Sequence, residues 1–308
     1  MDEAHIPNEA TYSPIALTDV MLAAPLLSRV LLGATLPGRM IQVAALGVYA
    51  ASALQDWVAR QGIRKIDFLE VYGADVHHLR EMPREDREAE VKLLAERVNE
   101  GYTAERYPME QLVEEADRHL TDYIASLTCQ RVVTSTQVRN FGLAQVLFPF
   151  ALGACDVLSG DIAIFRDTGV FEPHVIAHEL CHRKGYYKEL EAQVLAYMAL
   201  VCSGDPVLVQ SALCERLHRH IRVLADDDEE RFRNLVEWAG LRPELAEEYL
   251  KLRPASGAVT GVISKAMKTL YDERMKLTGQ NGVSDYDLGF TNFLYTYEEG
   301  LPVTAPSA

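Results

Sequence analysis

Apolar positions recur along this chain at two periods. From Glu81 to Asn99, Val91, Leu94 and Val98 share one side of a 3.6-residue helix, with Glu and Arg filling the rest. Tyr107 to Leu127 repeats the pattern through Leu112, Ala116, Leu120, Tyr123 and Ile124. Pro206 to Leu224 does so again through Val209, Leu213, Leu217 and Ile221, and Ala258 to Leu277 predicts a further helix. The charge runs on these segments are solvated faces. Arg131 to Val138 is β-branched and partly alternating, which predicts a strand. Ser159 to Asp167 predicts another, with Ile162 and Ile164 on one face. Phe148-Pro149-Phe150, Gly153-Ala154 and Leu252 to Gly257 read as loops, and Ile66 to Tyr72 is a short apolar run of either type.

The densest pattern lies between Pro173 and Leu200. Here the helix period carries His178, Glu179, Leu180, Cys181 and His182, a His-Glu-x-x-His sequence. Residues four apart on a helix lie one turn above each other, so His178 and His182 can bind one Zn²⁺ while Glu179 handles a water on it. The bland alternative is a surface helix with two solvated histidines. Val175, Ile176, Ala177 and Leu180 argue against it, because they give the helix the apolar sides of a buried element. Gly185 predicts a helix stop. Cys181 lies about 100° round the helix from His182 and is predicted to be a small buried hydrophobe, not a ligand.

A second helix begins near Lys188 and carries Glu189 and Glu191, about 200° apart, so only one can face a metal. Lys188 falls where a third histidine would stand in the metzincin spacing, and a cationic side chain is a poor ligand. From Glu191 the stripe runs through the large apolar residues Val194, Leu195 and Met198; from Glu189 it runs through Ala192, Gln193 and Ala196. The first stripe marks a core-facing side, which predicts Glu191 as the third ligand and Glu189 as an outer or solvated residue.

The run HELCHRKGYYKELEAQVLAYMA resembles a bacterial, zinc-peptidase-like family of unknown function. Its pattern falls on His178, Glu179, Leu180, His182, Gly185, Glu191, Ala192, Leu195, Ala196 and Tyr197. Phe148-Pro149-Phe150 and the block LTGQNGVSDY, Leu277 to Tyr286, fit as well, so the resemblance spans roughly residues 132 to 294. It implies a gluzincin-like metallopeptidase core and repeats the choice of Glu191. It also implies that Gly160 to Phe165 could be an edge strand pairing with extended substrate, against the plainer reading of a core strand. Members of the family begin with clear membrane helices, and this chain has only weak ones.

Composition narrows the partners. A net charge of −15 offers no basic surplus for nucleic acid and disfavours anionic headgroups. Residues 15 to 57 form two apolar segments broken by Pro25, Arg29, Pro37 and Arg39. The longest uncharged run, Met40 to Gln55, falls short of the roughly 20 residues that span a bilayer. Helices packed on a soluble core are favoured there over membrane association. Met1 to Pro14 is polar and reads as loose, with no secretory signal. Five cysteines without a CxxC pair suggest reduced thiols and a cytoplasmic setting. His218 and His220, among arginines, read as surface residues, and Asp226 to Glu230 as acids at a helix start.

The chain is therefore expected to be α+β and mostly α-helical, with a small sheet beside the metal helix. An N-terminal apolar helical region would cover residues 1–65 and a zinc metallopeptidase-like domain residues 66–308. The expected function is zinc-dependent hydrolysis of a peptide or protein substrate, with His178, His182 and Glu191 as ligands and Glu179 as general base. Tyr186, Tyr187, His218 and Tyr286 are candidates to stabilise an oxyanion. The rivals are a zinc-binding protein without peptidase activity, and a helical interaction or membrane-associated protein with an accidental motif.

Overall fold

The structure is a computed structural model, described here for residues 2–6, 17–139, 152–156, 160–252 and 269–300. The chain is mostly helical with two small sheets, in keeping with the expected class. Helices α1 (Leu17–Leu32) and α2 (Leu36–Arg60) form a hairpin; Thr35 accepts the Gly38 N–H, and Pro37 occupies the first turn of α2. Next come α3 (Phe68–Tyr72), α4 (Arg84–Glu100) and α5 (Met109–Thr128). Ile66 to Tyr72 thus resolves into one short helix, started by the Asp67 side chain and ended at Gly73.

Strand β1 (Asp2–His5) pairs in parallel with β2 (Gln130–Val133), so the first residues are not loose as expected. Strands β3 (Gly153–Cys155) and β4 (Ile162–Ile164) pair antiparallel, and Arg139 bridges β4 on its other side. This corrects one expectation and favours one of two open readings. Gly153-Ala154 belongs to a strand rather than a loop. And β4 has neighbours on both sides, so among the described residues the outer strand is β3. Phe148-Pro149-Phe150 and most of the 252–257 loop lie outside the described residues, as does the first half of the 258–277 helix.

The metal-motif helix α6 (Glu172–Arg183) and α7 (Glu189–Val201) form the centre of the larger core, with α5, α3 and the final helix packed round them. Helix α8 (Pro206–Ala225) lies against α6 and α7 on one side. On the other it meets a second apolar cluster shared with α4, α9 (Glu229–Ala239) and α10 (Pro243–Lys251). Asp228 caps α9, the role expected of the acidic run. A helix over residues 269–277, α11, leads through a 3₁₀ turn at Val283–Tyr286 into α12 (Leu288–Gly300).

Two buried cations fix α6 in place. The Arg183 guanidinium donates to the carbonyls of Gly160, Ser135 and Gln137, tying the helix to both flanks of β4. Lys184 donates to the Val132 carbonyl and the Thr121 hydroxyl and pairs with Asp117 at 2.7 Å, tying it to β2 and α5. Buried charges held by several hydrogen bonds fix geometry, since any displacement leaves one uncompensated.

Candidate metal centre

Helix α6 ends where Gly185 takes φ +92°, the left-handed turn expected there. The turn brings α7 back so that its first residue faces α6. His178 and His182 stack at 4.7 Å between ring centres, nearly perpendicular. Both Nε2 atoms face the same oxygen, Glu189 Oε2, at 3.1 and 3.2 Å. His178, His182 and Glu189 are all buried, and their three potential ligand atoms lie within 4.8 Å of one another.

Glu191 is not part of this cluster. Its carboxylate pairs with Lys188 at 3.3 Å and is partly exposed. Glu189, and not the expected Glu191, is thus the glutamate that the structure places with the two histidines as a group that could hold a metal ion. A stripe of large apolar residues points to the core only where a helix has one core side and one outer side. In fact every α7 residue from Glu189 to Leu200 except Glu191 is buried, so large apolar side chains mark no particular direction. The residue that meets the histidines is set by where the chain re-enters a helix after Gly185.

The surroundings orient the three side chains. His182 Nδ1 lies 2.7 Å from the Tyr186 carbonyl, which holds the proton on Nδ1 and leaves Nε2 free to coordinate. His178 Nδ1 is buried with no partner among the described residues. The Glu189 N–H donates to Gln280 Oε1 at 2.8 Å, and Glu189 Oε1 accepts from the Tyr271 hydroxyl. Tyr286 lies with its ring 6.0 Å from that of His178 and its hydroxyl 3.2 Å from that of Tyr271.

Electrostatics follow from burial. Burial opposes a charge on His182, but the Glu189 carboxylate outweighs it and raises the imidazole to about 9. Burial would also raise Glu189, yet the two histidines hold it well below the carboxylate range. Two imidazole nitrogens and a carboxylate oxygen, buried and convergent, are a donor set that could hold a metal ion.

Glu179 is buried beside β3. Burial pushes its carboxyl up, opposed by His178 and His182, and the Cys155 N–H bonds to it. Of the oxyanion candidates only Tyr286 reaches the cluster. The Tyr186 ring lies under Lys65 and Tyr187 is exposed. His218 is buried among Phe171, Phe232 and Tyr249, not at the surface as its neighbours suggested. Cys181 is buried, and all five cysteines are free. Tyr271 and Gln280 went unread in the sequence, although Gln280 lies inside the LTGQNGVSDY block; neither belongs to a ligand type or a local metal spacing.

No curated protein and no solved structure matches the chain. Residues 110–295, from the start of α5 into α12 and including every residue of the cluster, match the family described as a protein of unknown function, DUF3810. The match covers well over half of the 308 residues, and the chain belongs to that family.

Proposed function

We propose that this protein is a zinc-dependent hydrolase acting on peptide bonds. The observation that carries the reading is the buried His178–His182–Glu189 cluster on a His-Glu-x-x-His helix. Three protein ligands leave a position open for water or substrate, the arrangement of catalytic rather than structural zinc. Bound zinc would polarise a scissile carbonyl and lower the pKa of water near it. Glu179 takes the proton of the attacking water and delivers it to the leaving amine. Its burial, which favours the neutral form, helps it to hold that proton between the two transfers. The Tyr286 hydroxyl, whose hydrogen faces the Tyr271 oxygen, would turn that hydrogen to the oxyanion that develops on the substrate carbonyl.

The test is metal analysis of purified protein with three variants. Wild type should hold about one zinc per chain. Glu189→Ala should weaken zinc by more than the roughly 10- to 100-fold that an outer partner contributes, whereas Glu191→Ala should leave it unchanged. Glu179→Gln should keep zinc and lose roughly 10²- to 10⁴-fold in hydrolysis of a peptide library. Wild type that neither contains nor takes up zinc would refute the metal reading. Zinc retained without hydrolysis of any peptide would leave a zinc protein of another activity.

A further inference from the structure

A carboxylate ligand can offer a metal one oxygen or both, and the choice decides how much of the coordination sphere is left for substrate. At Glu189 the two oxygens are already divided. Oε2 faces both histidines, at 3.1 and 3.2 Å, while Oε1 accepts from the Tyr271 hydroxyl. We propose that Tyr271 is a positioning residue that restricts Glu189 to one-oxygen ligation and so keeps a coordination position open. The inference rests on the metal-centre reading above and deepens it.

Tyr271 is itself held. It stands on α11, one residue before Asp272, whose carboxylate accepts the Val283 N–H at 2.8 Å. That bond joins α11 to the segment after it, and the same segment supplies Gln280 to the Glu189 N–H. The ligand is therefore gripped at backbone and carboxylate by one stretch of chain far from it in sequence. Gly282, at φ +95°, fits this clasp because a β-carbon there would run into the Asp272 carboxylate. A hydrogen bond from a neutral phenol to the distal oxygen has two effects. It fixes the carboxylate rotation, and it satisfies the lone pairs that would otherwise turn toward the cation.

The experiment is Co²⁺ substitution, read by visible absorption and by competition with a chromophoric chelator. Four-coordinate cobalt absorbs intensely in the visible, and five- or six-coordinate cobalt weakly. Tyr271→Phe should lower the band intensity as the second oxygen joins, and weaken cobalt binding roughly 10- to 100-fold. Tyr271→His, which can restore an N–H donor, should recover part of both. Thermal melts of the metal-free proteins show whether each variant folds; if Tyr271→Phe does not, Tyr271→His set against Tyr271→Leu makes the same comparison. Wild type that takes up cobalt beside a Tyr271→Phe variant with the same spectrum and affinity overturns this inference alone. Wild type that takes up no cobalt overturns the metal centre and this inference with it.

Discussion

In the proposed reaction Glu179 accepts a proton and releases it, which needs space beside its carboxylate, and Gly153 supplies that space. A β-carbon at Gly153 would lie 3.1 Å from Glu179 Oε1, 3.1 Å from Val175 Cγ1 and 3.2 Å from the Ala163 carbonyl. All three approaches are tight, and the backbone carbonyl is the neighbour least able to yield. Gly153→Ala should therefore displace Glu179. The expected result is a loss of roughly 10- to 100-fold in peptide hydrolysis, since small misplacements of a reacting group carry costs of this size. Overpacking should lower stability by about 1–3 kcal/mol, while zinc content stays at the wild-type level because no ligand moves. Parallel assays of turnover, thermal melting and metal content check this; a variant that lost zinc would place Gly153 in the ligand frame instead. At this scale His178, Glu179 and His182 were legible because a helix turns fixed spacing into fixed geometry. The choice between Glu189 and Glu191 was not, because both lie in the first turn of a helix that is buried nearly all round, and the deciding contacts come from Tyr271 and Gln280, some eighty to ninety residues further on.

Helices declare themselves through one-sided patterns, and α4 and α5 were read correctly on that basis: Val91, Leu94, Val98, Leu112, Ala116 and Leu120 are all buried. Short strands such as β3 give no such signal, since three residues hold less than two periods. Helix α8 misleads in the opposite way. His218 and His220 sit among arginines and read as surface, yet both are buried, as is His174 on α6. Burial, reinforced by Arg219, lowers His218 to about 4; burial also lowers His174 to about 4 and His220 well below its usual value. Folding thus keeps these imidazoles neutral, whereas in the unfolded chain they protonate near their ordinary pKa of about 6.5. The unfolded state binds more protons between these values, so their contribution to stability is complete above about 6.5 and is lost as pH falls toward about 4. Thermal melts across that window should show a steeper acid loss for wild type than for His218→Phe, whose ring would rest among the same aromatic neighbours. Equal slopes would mean that His218 takes up a proton as readily folded as unfolded.

Across the whole molecule, a charge of −15 argues for solubility, but it is not spread evenly. Residues 17–60 carry only Asp19, Arg29, Arg39, Asp56 and Arg60. The sequence favoured helices packed on a soluble core for this region. Instead α1 and α2 pack chiefly on each other and leave Val30, Leu31, Val43, Leu46, Leu54 and Trp57 more than half exposed. No helix among the described residues is long and apolar enough to cross a membrane. The hairpin is nevertheless fastened beside the candidate centre. Tyr49 donates to Asp156, just after β3, at 2.8 Å; Lys65 donates to the Gly185 carbonyl; and Arg60 lies over the Tyr187 ring. Hydrophobicity along the chain could announce these apolar side chains but not what faces them, because that depends on whether a second element returns to cover the hairpin. Apolar side chains exposed together on one hairpin are the kind of surface that associates with another protein or a second copy. Detergent-free protein should therefore elute above the mass of a 34.4 kDa monomer. The combined variant Val43→Gln, Leu46→Gln, Leu54→Gln should shift elution toward the monomer. It should do so with a change of less than about 0.5 kcal/mol per substitution, because these side chains bury little in the folded chain and lose little when made polar. Destabilisation well beyond that, measured by denaturant melts, would mean that the three side chains are covered in solution by part of the same chain.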